Sequence, residues 1–287
     1  MIYALYNPYV ANHTGENSAK NLMKIFKEEK IEIINLLTLD YQEFFSNLNQ
    51  DDSVILCGGD GTLNRFVNDV SNIEIKHNIY YYAIGSGNDF LRDLEKSDNS
   101  PFLINKFLNN LPTVKTEDYE YSFFNGIGLG IDGFICYEGN RLREQSNNKI
   151  NYTLLAVKAL LFQYKPCNAT VNVDGKEYNF KNVWLATTMK GRFFGGGMKI
   201  APNQDRFDKD NKLSVIIVHN LNKLSIIKLF PTIFEGKHIK YKKYVSVFEA
   251  NSVSVRFDEP SAIQIDGEAA LNFKEYSATN KIKIKKI

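Results

Sequence analysis

Cysteine is scarce. The 287 residues contain three, Cys57, Cys136 and Cys167, far apart and without a CxxC pair. That argues against a disulfide framework or a cysteine-based zinc site and fits a reducing, cytoplasmic setting. The four histidines (His13, His77, His219, His238) lack ligand spacing, so surface or core positions are expected for them. Neither sign of charge dominates: 35 Lys+Arg against 33 Asp+Glu leave +2, with no long single-sign block, and no nucleic-acid partner is expected. No apolar run is long enough to span a bilayer. The most apolar, residues 152–162, is about half the required length and carries Lys158 in its middle. The first residues turn polar at once without a basic leader, so no signal peptide is expected, and any membrane contact should be peripheral.

What is present supports a full core. Hydrophobic residues make up 44%, with 20 Phe and 16 Tyr, in a chain long enough for two domains. The first hundred residues alternate strand-like and helix-like segments: strands at 2–6, 31–37, 53–56 and 80–84, helices at 17–29, 41–48 and 63–70. That order predicts an α/β domain over 1–120 with a mainly parallel, Rossmann-like sheet. From about 120 the pattern becomes β-rich, with helices near 132–146, 149–163 and 222–235. A hairpin is expected at Asp174-Gly175. Residues 121–287 are therefore read as a β-rich, sandwich-like domain, with a nucleotide cleft expected between the two domains. The Lys/Ile alternation of 281–287 reads as a last strand that could pack back on the first domain.

Three turns carry candidate chemistry. Cys57-Gly58-Gly59-Asp60-Gly61-Thr62-Leu63-Asn64 reads as strand, glycine turn, helix. Its glycines uncover backbone N–H groups for an anion, and the helix points its positive end there. Asp60 would repel a phosphate, so it either works through a metal or orients neighbouring groups; the plain alternative is a tight turn with Asp60 as N-cap. Gly85-Ser86-Gly87-Asn88-Asp89-Phe90 has the same design, with capping by Asn88 or Asp89 as its plain alternative. Gln264-Ile265-Asp266-Gly267-Glu268 sets two carboxylates around a glycine, which reads either as an acidic hairpin turn or as a general base or metal-linked carboxylate.

Together with Leu91 and Arg92 after the second turn, these motifs resemble the diacylglycerol kinase catalytic-domain family, which includes bacterial soluble lipid kinases and the sphingosine and ceramide kinases. Asn7-Pro8, Asn125-Gly126 with Gly128, and Gly195-Gly196-Gly197-Met198 before Ala201-Pro202 fall in register with it. The resemblance implies an ATP- and Mg²⁺-dependent transfer of the γ-phosphate to a lipid hydroxyl at the membrane surface, and is compatible with a homodimer. It implies that Gly58, Gly59, Asp60, Gly61, Thr62, Leu63 and Asn64 hold the phosphates, with Asn7, Thr38, Ser86, Asn88 and Asp89 at the nucleotide. Asp60, Asp89 and Asp118 match positions tied to the catalytic magnesium through water. Asp266 and Glu268 match those credited with taking the hydroxyl proton. Asp210, with carbonyls of Phe207 and Lys212, matches a structural-metal loop in which Asn211 stands for the usual glycine. Phe193 and Phe194, beside the Gly195 loop, read equally as acyl-chain contacts or core. An NAD kinase-like phosphotransferase and a non-catalytic nucleotide-binding protein are the competing readings.

Overall fold

The computed structural model describes residues 1–10, 14–85, 87–96, 100–145 and 150–280. His13, Ser86 and the expected strand at 281–287 lie outside the described residues. The chain divides into two compact units, Met1–Asn109 and Asn110–Ile287.

The first unit runs β1 (Ile2–Tyr6), α1 (Gly15–Lys20), α2 (Leu22–Ile25), β2 (Ile31–Asn35), α3 (Tyr41–Asn47), β3 (Ser53–Gly58), α4 (Asp60–Asp69), β4 (Asn78–Ala83), α5 (Asp89–Asp93), β5 (Phe102–Leu103) and α6 (Asn105–Leu108). Strand order is β2-β1-β3-β4-β5, parallel except for β5. Parallel neighbours need crossovers, and the helices supply them. Val54, Ile55, Leu56 and Cys57 are all buried, as befits a central strand covered on both faces. The helix expected at 17–29 forms as α1 and α2, interrupted at Asn21. The chain steps from β1 to β2 on one side and then to β3 on the other. The sheet therefore has its topological switch between β1 and β3, the place where such folds take ligands.

The second unit runs β6 (Thr113–Lys115), β7 (Glu120–Ser122), β8 (Gly126–Gly130), α7 (Ile131–Gln145), α8 (Tyr152–Lys158) continuing as a π-turn Ala159–Gln163, β9 (Cys167–Val173), β10 (Lys176–Val183), β11 (Leu185–Met189), β12 (Leu213–Val218), α9 (Lys223–Phe234), β13 (Val245–Ala250), β14 (Ser252–Ile265) and β15 (Glu268–Thr279). Among the described residues, ten strands form one hydrogen-bonded sheet. The long β14 has register shifts between Arg256 and Ile263; before them it pairs with β9 and after them with β8. Bulged strands bend, so one strand serves two parts of the sheet. Val171, Val215, Ile217, Val255 and Ile265 share one core, and Tyr178 of β10 lies 4.7 Å from Phe248 of β13, although those strands do not pair. The sheet thus folds over itself, which is how a continuous sheet encloses a sandwich-like core. Strand β6 precedes the composition change at 120, yet it pairs with Ser277–Thr279 of β15 and with β7, so it belongs to this second sheet.

Candidate active site

In the first unit, β3 ends at Gly58 and α4 begins at once at Asp60, with Gly59 extended at the N-cap. A Cβ at Gly58 would lie 2.4 Å from the Thr62 side chain, so only glycine lets the helix turn back this tightly. Thr62 in turn accepts a hydrogen bond from Asn7 Nδ2 at 3.1 Å, across the β1–β3 switch. Gly15 belongs to the same assembly: a Cβ there would meet the Asn7 carbonyl at 2.0 Å. It was invisible to motif reading because its requirement is tertiary. First-turn N–H groups of a helix have no intrahelical acceptor, so the start of α4 presents donors and partial positive charge at the switch. Leu63 is fully buried, so it can offer a ligand only its backbone. Asn64 faces its own helix and accepts from Asn68 Nδ2. Thr38 is exposed just past β2, its hydroxyl donating to the Asn35 carbonyl.

Asp60 occupies the first helical position of α4 rather than its N-cap, and its carboxylate caps a different helix. Its Oδ2 accepts from the Asp89 N–H at 2.6 Å and its Oδ1 from the Phe90 N–H at 3.1 Å. Asn88, the residue preceding α5, is left-handed (φ 32°) and makes no side-chain cap; its amide donates to the Gly85 carbonyl at 3.0 Å. The two glycine turns are therefore joined by one carboxylate, which neutralises the N-terminal end of α5. Asp89 is buried, with Arg92 Nη1 2.7 Å from its Oδ1. The nearby Tyr81 hydroxyl is pushed well above its usual range, first by burial and then by the Asp60 charge.

In the second unit, Asp266 (φ 47°) and Gly267 (φ 93°) form the two-residue turn between β14 and β15, the geometry that Asp-Gly favours. The acidic turn is a hairpin, and it is also more than one. Asp266 Oδ2 accepts from the Phe124 N–H at 2.6 Å, while Oδ1 accepts from Asn125 and Gly126 at 2.8 and 2.9 Å. This carboxylate clamps the start of β8. Arg206, which no motif singled out, holds the other side of that segment, donating to the Phe124 carbonyl at 2.7 Å and to Asn125 Oδ1 at 3.0 Å.

The Gly267 peptide is fixed from both ends. Gln264 Oε1 accepts its N–H at 3.1 Å, and the Cys136 thiol donates to its carbonyl at 2.7 Å. Gln264 also donates to Asp132 Oδ2 at 3.2 Å. Asp132 and Cys136, four residues apart on α7, thus brace the turn from one helix face. A Cβ at Gly128 would sit 1.7 Å from Asp132 Oδ2, which explains a glycine in the middle of β8. Burial pushes the Asp132 carboxyl up to about 6, with the Gln264 bond opposing the shift. Its Oδ1 is buried without a hydrogen-bond partner among the described residues. Glu268, by contrast, is exposed at the first position of β15.

Other candidate residues fall elsewhere. Asp118 is exposed in the turn between β6 and β7, its N–H bonded to Thr116 Oγ1 at 3.3 Å. Asp210 is exposed, with Lys212 Nζ 3.8 Å away. The Lys212 carbonyl accepts from Gln204 Nε2 at 2.9 Å, and the Lys190 ammonium bonds Asn211 Oδ1. Two ammonium groups reach this loop, Lys212 from within it and Lys190 from the end of β11, which does not fit a resident cation. Asp60 and Asp89 lie in adjacent turns, with both Asp60 oxygens accepting backbone N–H groups and Asp89 Oδ1 bonded by Arg92, so a cation there would be held through water. No group of three or more His, Cys, Asp or Glu among the described residues could hold a metal directly. Phe194 is buried in the core, whereas Phe193 is half-buried beneath Arg192 and Lys199.

Comparison with known proteins agrees with this layout. Residues 1–114 match the family described as diacylglycerol kinase catalytic domain, and residues 125–276 match the YegS C-terminal NAD kinase beta sandwich-like domain. A diacylglycerol kinase of Mycobacterium tuberculosis (strain ATCC 25618 / H37Rv) is 24% identical over 267 residues, covering 88% of this chain and 84% of its own length. A crystal structure of a diacylglycerol kinase from Bacillus anthracis str. Sterne superposes with a TM-score of 0.59 at 17% identity, covering 97% of this chain and 93% of that one. Yeast NADH kinase complexed with NADH gives 0.50 at 8% identity, covering 100% and 79%, a likeness of fold alone. On the two matched domains, the chain belongs to the diacylglycerol kinase catalytic-domain family.

Proposed function

We propose that this protein transfers the γ-phosphate of ATP to the hydroxyl of a membrane lipid of diacylglycerol type. The observation that carries the reading is the Asp60 bridge: one carboxylate joins two glycine turns at the C-terminal edge of a parallel sheet, beside the Asn7–Thr62 bond at the switch point. A fold needing only a tight turn has no use for two such turns tied together there. Backbone donors at the start of α4 would bind the phosphates, and Asp60 and Asp89 would hold Mg²⁺ through water. When bound, Mg²⁺ supplies the charge neutralisation that phosphoryl transfer mainly requires. Asp266 is committed to three backbone donors, so we assign it to shaping the turn that carries Glu268. The exposed Glu268 is then the better placed of the two acids to receive the hydroxyl proton, which leaves late in such a transfer. The protein would meet its substrate from the cytoplasm, through peripheral contact with the membrane; among the described residues no helix is long and apolar enough to cross one.

The fold likeness to NADH kinase makes an NAD-type acceptor the second reading. Radiolabelled ATP with Mg²⁺, offered in parallel to mixed micelles of hydroxyl lipids and to NAD, separates the two. Labelled lipid phosphate is expected. Labelled NADP without lipid product would overturn the proposal, and no transfer to either would favour a non-catalytic nucleotide-binding protein.

A further inference from the structure

We propose that the outer face formed by α8, its π-turn and α9 docks this chain onto an anionic lipid bilayer. Among the described residues, three of the four most exposed large apolar side chains lie on these elements: Phe162 (76%), Leu224 (72%) and Leu154 (61%). They sit together. Lys223 Nζ donates to the Leu161 carbonyl at 2.7 Å, which ties the start of α9, with Leu224, to the π-turn that carries Phe162.

Helical spacing makes each element two-faced. On α8 and the π-turn, Leu155, Ala156, Ala159 and Leu160 are buried, while Leu154, Lys158 and Phe162 follow one another along the outside. On α9, Ile226, Leu229 and Ile233 are buried, and Leu224, Lys228, Pro231 and Phe234 form the outer stripe. The core is thus already satisfied from within, and the outer apolar residues are surplus to it.

Charge identifies the occupant. Residues 150–165 contain Lys158 and Lys165 and no acid; residues 220–234 contain Lys223 and Lys228 and no acid. At the chain's overall density of 33 acids in 287 residues, these positions would hold about three or four. All four lysines are exposed. Apolar tips interleaved with lysines, whose stems can lie along the apolar surface while the ammonium reaches headgroups, match the interface of an anionic bilayer. The run at 152–162, too short and too charged to span a membrane, is long enough to lie on one.

The test is sedimentation of the full chain with vesicles of phosphatidylcholine and phosphatidylglycerol. Binding should rise with phosphatidylglycerol content and weaken with salt. Phe162→Ala with Leu224→Ala should weaken it by about tenfold or more, and Lys158→Glu with Lys228→Glu should remove its dependence on anionic lipid. Met23→Ala with Ile25→Ala, exposed apolar residues of the first unit, should leave it unchanged. Circular dichroism of every variant should match the wild type, since all these side chains are exposed. Equal binding of wild type and patch variants, or no binding by the wild type, overturns the proposal. So does a wild-type dimer that Phe162→Ala dissociates, because the face would then be covered by a second copy. The assay reads lipid affinity rather than catalysis: vesicle binding lost in the variants without any lipid phosphorylation would sink the kinase reading and leave this inference standing.

Discussion

In each unit an aspartate of a candidate turn gathers backbone N–H groups from another segment, and the two do it differently. Asp60 accepts two, from Asp89 and Phe90, at the start of a helix that contributes its own positive end. Asp266 accepts three, from residues 124–126, where a β-strand begins and no helix dipole helps. The α/β unit can hold its loops with helix termini and spend few side-chain contacts doing so. In the β-rich unit the Asp266 carboxylate by itself satisfies the three N–H groups that open β8. The comparison also separates two kinds of acid that look alike as motifs: those already bonded within the fold, and those such as Glu268 left exposed.

The contrast can be broken experimentally, and Asp266 should give the largest effect. Asp266→Ala strands three buried donors and leaves a non-glycine residue at positive φ without its carboxylate. A loss of about 3–5 kcal/mol is expected in chemical denaturation, with lipid phosphorylation abolished. A loss under about 1 kcal/mol would mean that the clamp is dispensable. Asp60→Asn keeps one acceptor and sets an amide donor against the other N–H. We expect about 1.5–3 kcal/mol and loss of transfer, both read on the same preparation. Gly58→Ala forces a Cβ against Thr62 and should cost about 1–3 kcal/mol, with weaker ATP binding by calorimetry as the Asn7–Thr62 bond is displaced.

Two smaller effects sharpen the view of the second unit. Asp132 has a folded pKa raised from 3.8 to about 6 by burial. Stability present below the unfolded value is therefore lost as pH rises through the folded one, by about 3 kcal/mol at most. Asp132→Asn, which can still accept from Gln264, should raise the melting temperature relative to wild type above about pH 6 and not below about pH 4. Equal melting curves across that range would contradict the burial argument. Gln264→Leu should leave ATP affinity unchanged while lowering kcat about tenfold, because it frees the Gly267 peptide that positions Glu268. Faster amide exchange at Gly267 would report the same release independently of activity.

Much of the first unit was legible in the chain because its rules are local. Strand–helix alternation with apolar strands predicts a parallel sheet, and a glycine turn between strand and helix predicts an anion-facing loop. Asp60 itself was only half legible. Its residue type in a glycine turn pointed to orienting neighbouring groups, but the partners lie 29 and 30 residues away and could not be read from spacing. The second unit was less open. Strand β15 lacks a clean period-two pattern, and β8 hides behind glycines that exist because Met189 and Asp132 crowd it.

By itself, the sequence determined an α/β unit followed by a β-rich one and marked three turns as candidates for the chemistry, because periodicity, glycine and acidic residues act within a few positions. Tertiary structure alone decided what the acids are bonded to. It turned Asp60 from an N-cap into a bridge and Asp266 into a clamp 140 to 142 residues from its partners. It also set Asp132, Gln264 and Cys136 behind the Gly267 peptide and brought in Gly15 and Arg206. Hydrogen bonds between distant segments depend on how elements pack, and nothing in the spacing of residues along the chain records that.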